Sequence, residues 1–387
     1  MTELTGITWN HTRGYLPMVA TAQRFSELHP DISIRWEKRS LQSFADFPVE
    51  KLAENFDLLV IDHPFVGYAA GHKVLLPLDE HIPAEYLDQQ ASNAVGKSHE
   101  SYCYGGRQWA LAIDAATPVS GWRPDLLRKA KAAVPRTWTE LLDLARRGLV
   151  VMPALAVDSL MHFYMMCGGL GEDPFQRDEE VVGHRVGVQA LAMLRELVTL
   201  CGPASLERNP IATWEMLSAG NSAAYCPFAY GYSNYARRRY AAHRIEFGGL
   251  VSLDGGAPLR STLGGAGLAI SVRCHQRETA LQYAQFTASA ATQCGVYFDA
   301  GGQPGHRQAW LDAETNRISH DFFRNTLATL DQAFLRPRFD GYLRFQEEGA
   351  GVVHEYLRQG GDEGIVIDRL NAILRRARSR SAHGEAP

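Results

Sequence analysis

Polar and aromatic side chains crowd one joint near the start of the chain. In GITWNHTRGYLPMVATAQRF, residues 6–25, an apolar run gives way to Trp9, His11, Thr12, Arg13 and Tyr15 before a helical pattern begins. This set offers ring faces, hydroxyls and a planar cation, the chemistry of hydrogen-bonded recognition. A shorter βα turn would join the two elements. The joint therefore reads either as the wall of a crevice at the carboxyl ends of strands in an open α/β sheet, or as an exposed loop with Trp9 tucked under a neighbour. A second set, Asp62 and His63, ends the apolar run in FDLLVIDHP, and Asp114 closes WALAID. Carboxylates and histidine serve acid–base catalysis, but a binding site uses the same types for hydrogen bonding. Each also has a structural reading: Asp62 as a helix cap, His63 as a satisfied core histidine, Arg13 as half of a salt bridge.

Covalent and metal chemistry find no support in the motifs. There is no Walker A loop, no G-x-S-x-G elbow, no H-E-x-x-H and no G-x-G-x-x-G placed between a strand and a helix. Cys103, Cys167, Cys201, Cys226, Cys274 and Cys294 form no C-x-x-C pair, so neither a zinc site nor a redox motif is signalled, and no cofactor is expected. The formal net charge of -4 is no footprint for nucleic acid. Arg237, Arg238 and Arg239 and the tail RRARSRSAHGEAP read as solvated or frayed basic clusters. No run is apolar for long enough to span a bilayer, and MTELTG lacks the features of a signal peptide. The chain is thus expected in the cytoplasm if the sequence is native full length, and in the periplasm or on a lipid anchor if a signal was removed.

The elements that must position these residues alternate between strand and helix, the pattern of an α/β architecture. DISIRWEKR alternates with period two, and FDLLVI is continuous, as in a strand buried on both faces. In PMVATAQRFSELHP, Met18, Ala22, Phe25 and Leu28 recur at helical spacing before Pro30. RTWTELLDLARRG carries Thr137 and Glu140 at capping-box spacing and closes on Gly148. VGVQALAMLRELVTLCG reads as a further helix and GAGLAIS as a strand. At 387 residues, 45% of them hydrophobic, the chain is long enough for two cores.

The order of these segments resembles the family 1 extracellular solute-binding proteins, the binding components of ABC importers, with maltose-type and other sugar binders among them. The resemblance runs from about Gly6 to Leu374 through FDLLVIDHPFVGYAAGHKVLLPLDEHIP, GRQWALAIDAATPVSGWRPDLLRKA, VPRTWTELLDLARR, GNSAAYCPFAYGYSNYA, LGGAGLAISVRCHQRETALQYAQFTAS and LRPRFDGY. It implies a two-lobed periplasmic-binding-protein-like α/β fold of type II, with a hinge crossed three times. One lobe would be residues 1–113 with 262–310, the other 114–261 with 311–387.

The same resemblance implies the site. Thr12, Arg13 and Tyr15 would line a cleft with Asp62, His63, Trp109 and Asp114, and Phe228 and Tyr230 would approach from the other lobe. Ala112 stands where the family often has proline, and Tyr and Phe where sugar binders often use Trp. The implied function is capture of a small polyhydroxylated solute, a sugar or sugar acid, without chemistry, with hinge closure and handover to ABC transporter permease subunits. A monomer is expected, with no metal. The alternative is a cytoplasmic enzyme or ligand sensor on the same fold.

Overall fold

The computed structural model describes residues 1–41, 49–253 and 255–383. Its longer strands are β1 (Thr2–Trp9), β2 (Ile32–Arg39), β3 (Leu58–Ile61), β4 (Leu111–Ala116), β5 (Pro118–Trp122), β6 (Tyr225–Tyr230), β7 (Glu246–Gly248) and β8 (Gly264–Ile270). Among its helices are α1 (Thr12–Leu28), α2 (Trp138–Arg146), α3 (Ala156–Gly169), α4 (His184–Cys201), α5 (Arg277–Ala288), α6 (Tyr342–Gln359) and α7 (Glu363–His383). The chain divides into two compact units, residues 1–116 with 263–327 and residues 117–262 with the chain from 328 onward, so it passes between them three times. The passages fall at 116/117, 262/263 and 327/328, where the resemblance implied 113/114, 261/262 and 310/311. The last differs most, because Trp310 packs edge-on to Phe323 at 4.9 Å and Phe323 packs on Phe298 at 5.8 Å, which holds residues 307–327 in the first unit.

In the first unit the sheet order is β2-β1-β3-β8-β4. β1 runs parallel to β2 and β3, while β8 is antiparallel to both β3 and β4. β4 therefore points the same way as β1 and β3. Gly267 of β8 stands opposite Ile61 on one side and Ala112 on the other, so the end of β3 lies level with the start of β4, which runs on to Ala116. All four residues of β3 are buried, as a Leu-Leu-Val-Ile strand covered on both faces requires. Gly6 lets β1 pass beneath Trp36, whose ring would lie 2.7 Å from an added Cβ. α1 covers the sheet with Met18, Ala22 and Phe25, whereas Leu28, in its last turn, is half exposed. Tyr283 on α5 ties polar groups together within this core: it joins Thr21 Oγ1 at 2.9 Å and accepts from Trp36 Nε1 at 3.2 Å.

The second unit has a small antiparallel sheet, β6-β5-β7, and a helical core built on α2, α3, α4, α6 and α7. α3 is buried without a break from Asp158 to Cys167, with α4 and α6 packed on it. Thr137 and Glu140 form the expected capping box at the start of α2, and Gly148 just beyond its end adopts φ +71°, the left-handed conformation that suits glycine. Gly121 lets β5 approach Trp214, whose ring would lie 2.6 Å from an added Cβ. No disulfide forms among the described residues. Among the described residues no helix is long and apolar enough to cross a membrane.

Candidate functional site

The shared direction of β1, β3 and β4 brings the loops that follow β1 and β3 to one edge of the first unit's sheet, with β4 running on past them. At the end of β1 the chain turns sharply: Asn10 N–H donates to Arg39 O at 2.7 Å and His11 N–H to Trp9 O at 3.0 Å. His11 caps α1, its Nδ1 accepting from the Arg13 backbone N–H at 2.9 Å. That role needs an unprotonated nitrogen, and burial together with the neighbouring Arg13 charge lowers the imidazole to about 4. Trp9 is buried against Gly14, where any side chain would meet its indole within 2.3 Å. The crowding at this joint thus has a local cause: an aromatic wedge and a histidine cap lock the first turn of α1. Thr12 and Tyr15 remain half-buried, with Lys38 Nζ 4.9 Å above the Tyr15 ring.

Arg13 turns inward to β4. Its Nε donates to Asp114 Oδ2 at 2.7 Å and a terminal nitrogen donates to Oδ1, a bidentate pair with both side chains buried. Burial pushes the Asp114 carboxyl up, and the guanidinium opposes that shift. Asp62, just past β3, accepts from the His63 backbone N–H at 2.8 Å, and the same oxygen lies 3.2 Å from His63 Nδ1. His63 is buried, edge-on to Tyr102 at 6.4 Å, while Asp62 keeps part of its surface. Trp109 is buried with its indole N–H on Tyr104 O at 3.0 Å. Two of the expected site residues are thus bonded to each other across β8, two form an adjacent pair, and Trp109 packs inward.

In the second unit, Phe228 lies in the middle of β6, buried, and Tyr230 ends the strand half-buried. The Tyr230 carbonyl accepts from Trp214 Nε1 at 2.8 Å, which fixes the strand end where Pro118 pairs with it. Phe228 packs edge-on against His162 of α3, ring centres 4.7 Å apart. Sequence reasoning passed over His162 and its neighbour Asp158. Both are buried, and Asp158 Oδ2 and His162 Nδ1 have no hydrogen-bond partner among the described residues. Burial raises the Asp158 carboxyl to about 8 and lowers the His162 imidazole to about 3, so both resist carrying charge. The available signal was two ionisable residues four apart inside the apolar helix AVDSLMHFYMMCGG. No cluster of His, Cys, Asp and Glu able to hold a metal ion occurs among the described residues.

Residues 20–367 match the family of bacterial extracellular solute-binding proteins. The chain belongs to that family. Its fold is also that of solved solute-binding proteins. Maltose-bound MalE3 of T. maritima is similar with a TM-score of 0.82 at 18% identity, over 97% of this chain and 100% of that one. An ABC transporter solute-binding protein of Thermotoga lettingae, bound with α-D-tagatose, gives 0.83 at 18% identity over the same shares. One from Agrobacterium radiobacter K84, in complex with ribitol, gives 0.80 at 16% identity over 97% and 98%. Members of the family are binding proteins, and in this solute-binding protein the two-lobed α/β class agrees with the strand and helix pattern of the sequence.

Proposed function

We propose that this chain is the solute-binding component of an ABC importer and holds a small polyhydroxylated solute, using residues of both units, without changing it chemically. The observation that carries the reading is the edge toward which β1, β3 and β4 all run, in a chain whose family binds solutes. Loops at the carboxyl ends of such strands are where open α/β sheets receive ligands. Thr12, Tyr15, Asp62 and His63 supply hydroxyls, a ring and a carboxylate–imidazole pair there, and Tyr230 supplies a ring from the second unit. Arg13 and Asp114 brace the loop from behind. The sugars and polyols held by the similar proteins of known structure support the solute class.

Binding rather than catalysis is supported by the family and by how these groups are engaged: Asp114 is tied to Arg13, Asp62 to His63, and His11 to a backbone N–H. The family's extracellular character supports action in the periplasm or at a lipid anchor, where the chain would meet a permease. A thermal-shift screen of maltose, ribitol, tagatose and other sugars and polyols tests the reading. At least one should raise the melting temperature, and mass spectrometry should recover it intact. Response to amino acids or peptides alone would reject the solute class, and turnover of a bound solute would replace binding by catalysis.

A further inference from the structure

Buried polar side chains without a hydrogen-bond partner occur at several places among the described residues, and α3 holds two that are ionisable and one turn apart. Ser159 donates from Oγ to Ala154 O at 2.8 Å. Asp158 before it and His162 after it have no such bond: Asp158 Oδ2 and His162 Nδ1 are buried and partnerless among the described residues. Their spacing of four places them on one side of the helix, roughly 5–6 Å apart at Cβ, within reach of two adjacent groups on one small molecule. The Phe228 ring of β6 flanks His162, so the pair adjoins the strand that ends in Tyr230. Buried groups left without partners in a native fold call for an explanation, and one explanation is a ligand that supplies the missing bonds.

We propose that Asp158 and His162 form a solute-reading pair in the second unit, hydrogen-bonding neighbouring hydroxyls of an uncharged sugar or polyol and turning away anionic solutes such as sugar acids. The proposal rests on the polyhydroxylated-solute reading and narrows it. A carboxyl kept protonated by burial and a neutral imidazole each offer one donor and an acceptor, so together they match a pair of adjacent hydroxyls in either sense. An acid group has no such match. It would be desolvated beside two groups held neutral by burial, neither of which offers it a positive charge. Burying a charge without a counter-charge excludes the wrong ligand more strongly than a missing contact does.

The test pairs neutral solutes with their acids: D-glucose with D-gluconate, D-galactose with D-galacturonate and ribitol with D-ribonate, with maltose added, each titrated calorimetrically into wild type, Asp158→Asn and His162→Leu. At least one neutral member should bind wild type while its acid does not. Each variant should weaken that binding by about ten- to a hundredfold. The unliganded melting temperature of each variant should stay at or above that of wild type, since the replaced group has no bond to lose. Equal affinity in wild type and both variants, or an acid bound as tightly as its neutral partner, would overturn the pair and leave the solute-binding reading standing. A fall of the unliganded melting temperature by several degrees in both variants would also overturn it, by showing that the groups are structural. Silence across the whole panel would reject the polyhydroxylated-solute reading and this inference with it.

Discussion

Removing Arg13 would leave the Asp114 carboxylate buried with its counter-charge gone. Each partner is almost fully enclosed, so the substitution strands a charge rather than deleting a surface contact. Breaking a buried pair from one side typically costs about 3–5 kcal/mol, whereas exchanging both partners for apolar residues of similar volume often costs little. Arg13→Ala should therefore lower unfolding stability by about that amount in a urea titration, and Arg13→Met with Asp114→Leu should recover much of the loss. A loss below about 1 kcal/mol would mean that the pair does not brace the loop. Tyr230 behaves differently because it is half-buried at the margin of the second unit's core, with its carbonyl on Trp214 Nε1. Tyr230→Ala should lower unfolding stability by less than Arg13→Ala does and weaken solute binding by about tenfold or more, and calorimetry beside the unliganded melting temperature separates the two effects.

At the scale of the element, α3 carries an opposed pair of titrations. Asp158 is raised to about 8 in the folded chain. Below about pH 4 it is protonated whether folded or not. From there to about pH 8 the unfolded chain releases a proton that the folded chain keeps, so stability falls as pH rises. His162, lowered to about 3, contributes stability that is complete above its ordinary value of 6.5 and is lost as pH falls toward 3. Cys226 of β6 also interacts with Asp158; burial holds its thiol well above the ordinary value, with Cys201 and Arg208 acting on it as well. Asp158→Asn should flatten the decline of unfolding stability between pH 5 and pH 8, and an unchanged decline would assign it to another group. What could be read in advance follows the same physics. Periodicity, the Thr137–Glu140 box and the glycine after α2 are local signals and appear where the sequence puts them. Arg13 and Asp114 meet across a sheet, 101 residues apart, and no spacing rule predicts that pairing. Asp158 and His162 lie in a helix so apolar that pattern alone reads them as packing, and only the missing partners mark them out.

For the whole molecule, the proposed function makes a claim about how the two units respond to one solute. A ligand that binds only the native state stabilises it by mass action, about 2.7 kcal/mol when its free concentration is a hundred times its dissociation constant. With an unfolding entropy of about 2.1 cal/mol/K per residue, a chain of 387 residues melting as one should gain about 3 °C. Units with separate cores can melt separately, and the calorimetric trace then reports where the solute is held. If Thr12, Tyr15, Asp62 and His63 act from one unit and Tyr230 from the other, saturating solute should raise every resolved transition. Tyr230→Ala should shrink the gain in both. A rise confined to one transition would place the solute on one unit alone, and the requirement for both units would fall even though binding itself was real.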